Sequence, residues 1–461
     1  MNSSRFVAAV LFGILTFVGT AGAATGPSPP APGFQSLERV DLDNGLRTLL
    51  GKPQREALFS EILLVVRAGT AAPTSHQEEI ARITAEAFLS GRRSPDAPSL
   101  GLELARMGVT PDFTVGRDVA VFRFAVPTAN TIHFLHVLAE LLNRPALSNE
   151  VWNDAIARRG QELSQEQNDP WQHATSELTS LVWTRGSDEE GRPDARPIAS
   201  SAINPTALAL FWQQAYAPGN MVLSVWGELP VSELAGSVRS EFGRLAPRQA
   251  LPQSSPVPAP VLSKVGSVRC LQQEGAVPAA LLVGAGARIE SDRDFYAWQI
   301  AVHILGASYN SRLQRRLRTE SQVVYTVEAA VLPVGPKGLI LRVACQTDQV
   351  EATRRIILEE LRTLTQQPVT QPELDLARAI LRSRLKLDGA SFRDQFYRRS
   401  LALLSTQEVR DPIRAEAIIS TFTPKTLLNV LSSTLQPEEA STVVVSIHSE
   451  PLCGSSHENK P

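Results

Sequence analysis

Histidine and cysteine are scarce in this chain, with seven and three among 461 residues. The histidines are scattered, and neither a Gly-x-Ser-x-Gly elbow nor a Cys/His nucleophile arrangement occurs. That removes the common serine- and cysteine-hydrolase templates. Three cysteines cannot all pair within one chain. Cys270 and Cys345 lie in strand-like runs and Cys453 in a polar tail, so a Cys270–Cys345 bridge and free buried thiols both fit the pattern. An excess of charge is missing as well. A formal net charge of −2 gives no reason to expect nucleic acid or an anionic membrane as partner. Beyond the N-terminus no run is long and apolar enough to cross a bilayer.

What is present is a globular composition, 43% hydrophobic and 20% charged, in a chain too long for one ordinary core. The first residues read as an export signal. Arg5 precedes the apolar run VAAVLFGILTFVG, and Ala21-Gly22-Ala23 supplies small residues for cleavage. A membrane anchor is the competing reading, but the run is short and ends in small residues rather than basic ones. The expected division is a signal peptide at 1–23, a flexible linker at 24–36 and an N-terminal domain at 37–246. A Pro-rich linker at 247–262, a C-terminal domain at 263–449 and a polar tail at 450–461 follow. The segment PRQALPQSSPVPAP defines that second linker as stiff and extended.

Within the first half, Asp43-Asn44-Gly45 between two apolar runs signals a hairpin. EILLVVRAG reads as a strand. The stretch Glu78–Gly91, with apolar Ile80, Ile83, Ala87 and Phe88, reads as an amphipathic helix. His76, Glu78 and Glu79 suit its positive N-terminal end. DFTVGRDVAVFRFAVPT alternates with period two and predicts a strand pair. Helical stretches follow at 132–142, 149–166 and 173–181.

The pattern then recurs. FRFAVPT leads to a helix with VLAELLN, and LRVACQT leads to a helix with ILEELRT. Thr128 answers Thr347, Val137 answers Ile357 and Trp152 answers Leu374, at offsets of 219, 220 and 222 residues. Such steady register predicts two homologous α+β halves, each a mostly antiparallel sheet with helices packed on one face.

On DNGLRTLL, on VVRAGT leading into a helix, on FWQQAYAPGNMVLSVWGEL and on FYAWQIAVHILGASYNSRLQRRLRTESQVVYTV, the chain resembles the insulinase/pitrilysin family of zinc peptidases. It is most similar to the bacterial, processing-peptidase-like branch. The resemblance runs from about Leu37 to Ile447. It implies a metal helix carrying His-x-x-Glu-His, two imidazoles one turn apart with a carboxylate to activate water. Placing Gly91 on the glycine after that helix puts Arg82 and Glu86 on the histidine positions and Ala85 on the general base. Glu162 falls on the distant ligand. Guanidinium has no lone pair to give a metal, so no metal is expected in this chain. Two readings of the remnant stand open. Arg82 and Glu86 form an exposed i,i+4 pair, or the Arg82 cation replaces zinc between Glu86 and Glu162.

The resemblance also implies an Arg and a Tyr, seven residues apart, that hold substrate and stabilise the tetrahedral intermediate. Here they are Arg318 and Tyr325. A basic helix face and a core strand tyrosine are the structural alternative. His133 and His136, i,i+3 without an intervening Glu, read as a solvated helix face. The implied function is a non-catalytic subunit of a heterodimeric, extracytoplasmic zinc peptidase. A homologous partner would supply zinc and base, and peptides or unfolded segments would be the substrate. The alternative is an inactive pseudo-peptidase kept for binding or assembly.

Overall fold

The computed structural model describes residues 37–448 apart from 52–57, 70–74, 93, 95, 110, 117–118, 144–146, 183–202, 248–265, 321–323, 333–337, 391 and 405–411. The export segment, the linker after it, all but the first residue of the Pro-rich linker, and the polar tail lie outside the described residues.

The first half builds a six-stranded sheet from β1 (Leu37–Asp41), β2 (Arg47–Gly51), β3 (Phe59–Val66), β4 (Pro111–Val115), β5 (Ala120–Pro127) and β6 (Met221–Trp226). Their order is β1-β2-β6-β3-β5-β4, antiparallel except for the β2/β6 pair. The Asp-Asn-Gly signal makes the expected hairpin, with Gly45 at φ 89° where a side chain would be strained. Asn44 ties the turn down by donating to the Phe242 and Leu245 carbonyls at 2.8 and 3.1 Å. The helices are α1 (Ser75–Ser90), α2 (Leu100–Arg106), α3 (Thr131–Asn143), α4 (Asn149–Asn168), α5 (Pro170–Val182), α6 (Pro205–Ala215) and α7 (Val231–Phe242).

The second half repeats this plan with β7 (Val268–Gln272), β8 (Ala279–Gly286), β9 (Val324–Leu332), β10 (Gly338–Cys345) and β11 (Ser441–Ser446). Its order β7-β11-β8-β10-β9 reproduces β2-β6-β3-β5-β4 strand for strand, with the parallel pair in the same place. Even the short 3-10 turn after the fifth strand recurs, at Thr128–Asn130 and at Thr347–Gln349. Helices α8 (Asp292–Leu305), α9 (Val350–Gln366), α10 (Gln371–Ala390), α11 (Phe392–Ala402), α12 (Pro412–Ser420) and α13 (Pro424–Thr434) complete it. A π-helical segment, Gln314–Glu320, lies between α8 and β9.

Helices pack on one face of each sheet, as the alternation requires. Ile62, Leu64, Phe122, Phe124 and Leu223 face one core, and Leu281, Val283, Leu341 and Val343 face its counterpart. The opposite faces are apolar too, which explains why β3 reads as a near-continuous run. Each is covered by one helix from the other half. α5 lays Ala174, Leu178 and Leu181 on Ala280, Leu282, Ile340 and Val443. In return, α11 brings Phe396 and Tyr397, with Leu404 just beyond, against Leu49, Leu63, Val65, Val121 and Val222.

Polar contacts fix both exchanged helices. Arg269 pairs with Glu177, and Gln273 donates to the Asn168 carbonyl at 2.7 Å. Arg47 and Arg67 donate to the Leu403 and Leu404 carbonyls at the end of α11, and Arg393 pairs with Glu61. These carbonyls are the acceptors a helix terminus leaves without intrahelical partners. Gly284 lets α5 approach, since a Cβ there would lie 2.8 Å from Leu178 Cδ2.

Cys345 is a free buried thiol, pushed up to about 11 chiefly by burial, and Cys270 is disulfide-bonded. The Cys270–Cys345 bridge is therefore not formed.

Candidate functional site

The positions matched to a zinc site lie on α1 and α4, which pack against each other. Ala85 is fully buried within the first core. It turns its methyl inward and offers no group to activate water. Arg82 and Glu86 are half-buried on the neighbouring face. The cation that reaches Glu86 is Arg158 of α4, whose Nε lies 2.9 Å from Glu86 Oε1 and whose Nη2 donates to Ser90 Oγ at 2.8 Å.

The next residue, Arg159, is more deeply placed. Its side chain is 8% exposed and meets three carboxylates. Nε and Nη2 contact the two Glu79 oxygens at 2.7 and 3.2 Å. Nη1 donates to Glu162 at 3.2 Å and to Glu166 at 2.9 Å. Burial alone would lower the pKa of this guanidinium, but the Glu79 and Glu166 carboxylates raise it well above its ordinary value.

Among the described ion pairs, a cation joining carboxylates of the two helices around Glu162 is Arg159. Glu79, expected to serve the helix end, is engaged by Arg159. Sequence reasoning missed Arg159, Glu79 and Glu166. The signal was available on α4 alone, where Arg159, Glu162 and Glu166 stand at i, i+3 and i+7 on one face.

These residues do not fit a zinc ion. Arg82 has no lone pair, Ala85 no polar atom, and Glu86 and Glu162 are already held by guanidinium groups. Among the described residues no group of three or more His, Cys, Asp or Glu is arranged to hold a metal. His133 is exposed, and His136 lies between Glu241 at 2.9 Å and Glu140 at 3.5 Å on the α3 surface.

The second candidate set sits on the π-helical segment and β9. Two arginines anchor the segment. Arg312 makes a two-pronged pair with Glu373 at 2.7 and 2.9 Å, and Arg316 meets Glu360 at 2.8 Å and Glu359 at 3.1 Å. Leu313 and Leu317 fill the core beneath. Gln314 donates to the Val327 carbonyl at 3.1 Å and joins the segment to the edge strand β9. Arg318 and Tyr325 are left facing solvent, Tyr325 being 55% exposed. Among the described residues neither makes a hydrogen bond or ion pair. The alternative of a core strand tyrosine is thereby excluded. Local π-helical turns often mark functional positions, because i→i+5 bonding re-aims side chains.

The Arg312 partnership has a pH signature. The guanidinium first, then the Thr370 amide and hydroxyl, hold the Glu373 carboxyl down from 4.5 to about 2. A depressed acid contributes stability fully above its unfolded value, and loses it as pH falls through the folded one. Glu373→Gln is therefore expected to cost on the order of 1–2 kcal/mol near neutrality, discounted for partial exposure. The gap to the parent should close as pH falls from about 4.5 toward 2. Urea unfolding across that range checks it, and a gap independent of pH would contradict it.

Three comparisons bear on this geometry. Residues 202–381 match the family model described as the peptidase M16 inactive domain. The probable zinc protease PqqL of Escherichia coli is 21% identical over 359 residues, covering 75% of this chain. The chain is similar to the insulinase-like, M16 peptidases. Its fold is also that of solved M16 structures. The peptidase M16 inactive domain from Pseudomonas fluorescens superposes with a TM-score of 0.71 at 18% identity, covering 89% of this chain and 98% of that one. The first half of the periplasmic protease PqqL gives 0.68 at 16% identity, covering 90% and 92%. The chain spans less than half the length of the curated relatives it matches, 38% and 44%. It is similar to zinc-protease halves such as that of PqqL.

Proposed function

We propose that this chain is the metal-less subunit of a two-chain peptidase acting outside the cytoplasm. The observation that carries this reading is a contrast among neighbouring side chains. Arg312 and Arg316 are tied down by carboxylates, while Arg318 on the π-helical segment and Tyr325 on β9 stand exposed. A fixed cation and a phenolic donor suit the carbonyl of a peptide and the negative charge that grows on it when it is attacked. A homologous partner with an intact metal helix would supply the metal and the base. The present chain would supply half of the peptide chamber and these two side chains. Peptides or unfolded segments are the substrate class, held in part by strand addition to a sheet edge. Export is supported by the leading apolar run and by the similarity to PqqL, a periplasmic protease of Escherichia coli. Among the described residues no helix is long and apolar enough to cross a membrane.

The test is reconstitution. A homologue with the intact motif is assayed on an unstructured peptide with and without this chain. Cleavage is expected to require both chains. Full activity of the partner alone would leave assembly or scaffolding as the better account. Purified alone, this chain is expected to carry no zinc above background and to keep its thermal midpoint in a chelator. Stoichiometric, tightly held zinc would overturn the reading at its root.

A further inference from the structure

We propose that the C-terminal tail is bound to β7 by a Cys270–Cys453 disulfide and closes the open edge of the second sheet, where β1 stands in the first. Cys270 is disulfide-bonded, Cys345 is a free thiol and the chain has three cysteines. Within the chain, the partner of Cys270 is therefore Cys453. This holds whether the chain serves as half of a peptidase or as a scaffold.

The fold gives the reason for a tie at this place. Matching the strand orders β1-β2-β6-β3-β5-β4 and β7-β11-β8-β10-β9 leaves β1 without a counterpart. β1 covers the outer edge of β2 in antiparallel register, whereas β7 is the last described strand on its side. An uncovered edge offers a row of amides and carbonyls to any passing strand. The chain leaves β11 beside this edge. β11 runs parallel to β7, and its exit is fixed there. The Gln273 amide donates to the Ser446 carbonyl at 2.9 Å, and Gln272 Nε2 to the Ile447 carbonyl at 3.2 Å. From His448 to Cys453 the chain can span about 17 Å. Cys270 lies roughly 7–10 Å back along β7, within that reach. To arrive there the chain runs against the direction of β7, the antiparallel sense of β1 on β2. Pro451, which has no N–H to give, suits an edge.

The bond forms by exchange with the disulfide of an oxidising thiol oxidoreductase. One cysteine thiolate attacks that disulfide and the other displaces the mixed disulfide. Two electrons and two protons pass to the oxidoreductase, which leaves as a dithiol. Export to an oxidising compartment would supply it. Cys345, fully buried on β10, stays outside the exchange.

The experiment uses the full chain purified from an oxidising compartment. Unfolded in iodoacetamide without reductant, it is expected to take up one alkyl group, at Cys345. Digestion should then yield a cross-linked peptide joining Cys270 to Cys453, and prior reduction should leave all three cysteines alkylated. The double variant Cys270→Ser/Cys453→Ser should lose at least about 4 °C of thermal midpoint, and reduction of the parent should reproduce that loss. Hydrogen exchange locates the effect. Amides of Val268–Gln272 should exchange at least about 10-fold faster in the double variant, while β9 at the opposite edge keeps its rate. Three alkyl groups without reduction, a Cys270–Cys345 peptide, or Cys270 joined to a second copy of the chain would each overturn the proposal. So would unchanged exchange at β7 in the double variant.

Discussion

Arg318→Ala, assayed in the reconstituted two-chain complex, is expected to lower kcat by about 10²–10³-fold, the usual cost of removing one donor to a developing oxyanion. The loss should fall on kcat more than on KM, because the interaction strengthens only as charge accumulates on the substrate oxygen. Tyr325→Phe keeps the ring and removes only the phenolic donor, so its loss should be in the same direction and about 10-fold or more. The structure supplies the control. Arg315 is exposed on the same segment but directed to Glu320 at 3.9 Å, and Arg315→Ala should leave turnover near that of the parent. The anchors provide a second contrast. Arg312 and Arg316 pair with carboxylates of α9 and α10, so substitution there acts through the position of Arg318. Equal activity of parent, Arg318→Ala and Tyr325→Phe would remove the pair from the chemistry and favour scaffolding.

Much of the fold was legible in the chain because its elements carry local signals. The Asp-Asn-Gly hairpin, the period-two stretch that became β4 and β5, and the helices α3, α4 and α5 appear where periodicity and caps place them. Ser99 and Ser148 accept from the Leu102 and Val151 amides as helix caps should. The repeat was legible because offsets near 220 residues persisted, and the strand order repeats accordingly. Hidden features are those decided between segments far apart in sequence. Nothing local says that Phe396 covers Leu49 and Leu63, or that Leu178 covers Leu282. Periodicity shows which residues are apolar but not which half owns the face they bury. The ionic cluster was half legible for the same reason. Arg159, Glu162 and Glu166 share a helix face in the sequence, while the Glu79 contact depends on α1 lying against α4.

The exchange of helices carries the second large expectation, that the halves of this chain are stable together rather than apart. Phe396 is 1% exposed and lies between α11 and the outer face of the first sheet. Phe396→Ala is expected to cost about 3–5 kcal/mol, from the lost transfer free energy and the cavity left behind. The damage should not stay local. Around α11, Arg47 and Arg67 are held by the Leu403 and Leu404 carbonyls, and Arg123 stacks over the Tyr397 ring at 4.6 Å. Burial lowers the pKa of Arg47, with the nearby Arg67 and Arg39 charges adding to it. A loosened α11 would take away the carbonyl that the Arg47 cation uses. Leu178→Ala on α5 probes the reciprocal contact, where the second sheet presents Gly284 to a leucine with no room to spare. Both variants should unfold at lower urea in one transition, because each exchanged helix belongs by sequence to one half and by packing to the other. Two resolved transitions in the parent, or a Phe396→Ala effect confined to the second half in hydrogen exchange, would mean the halves are independent folding units that merely touch.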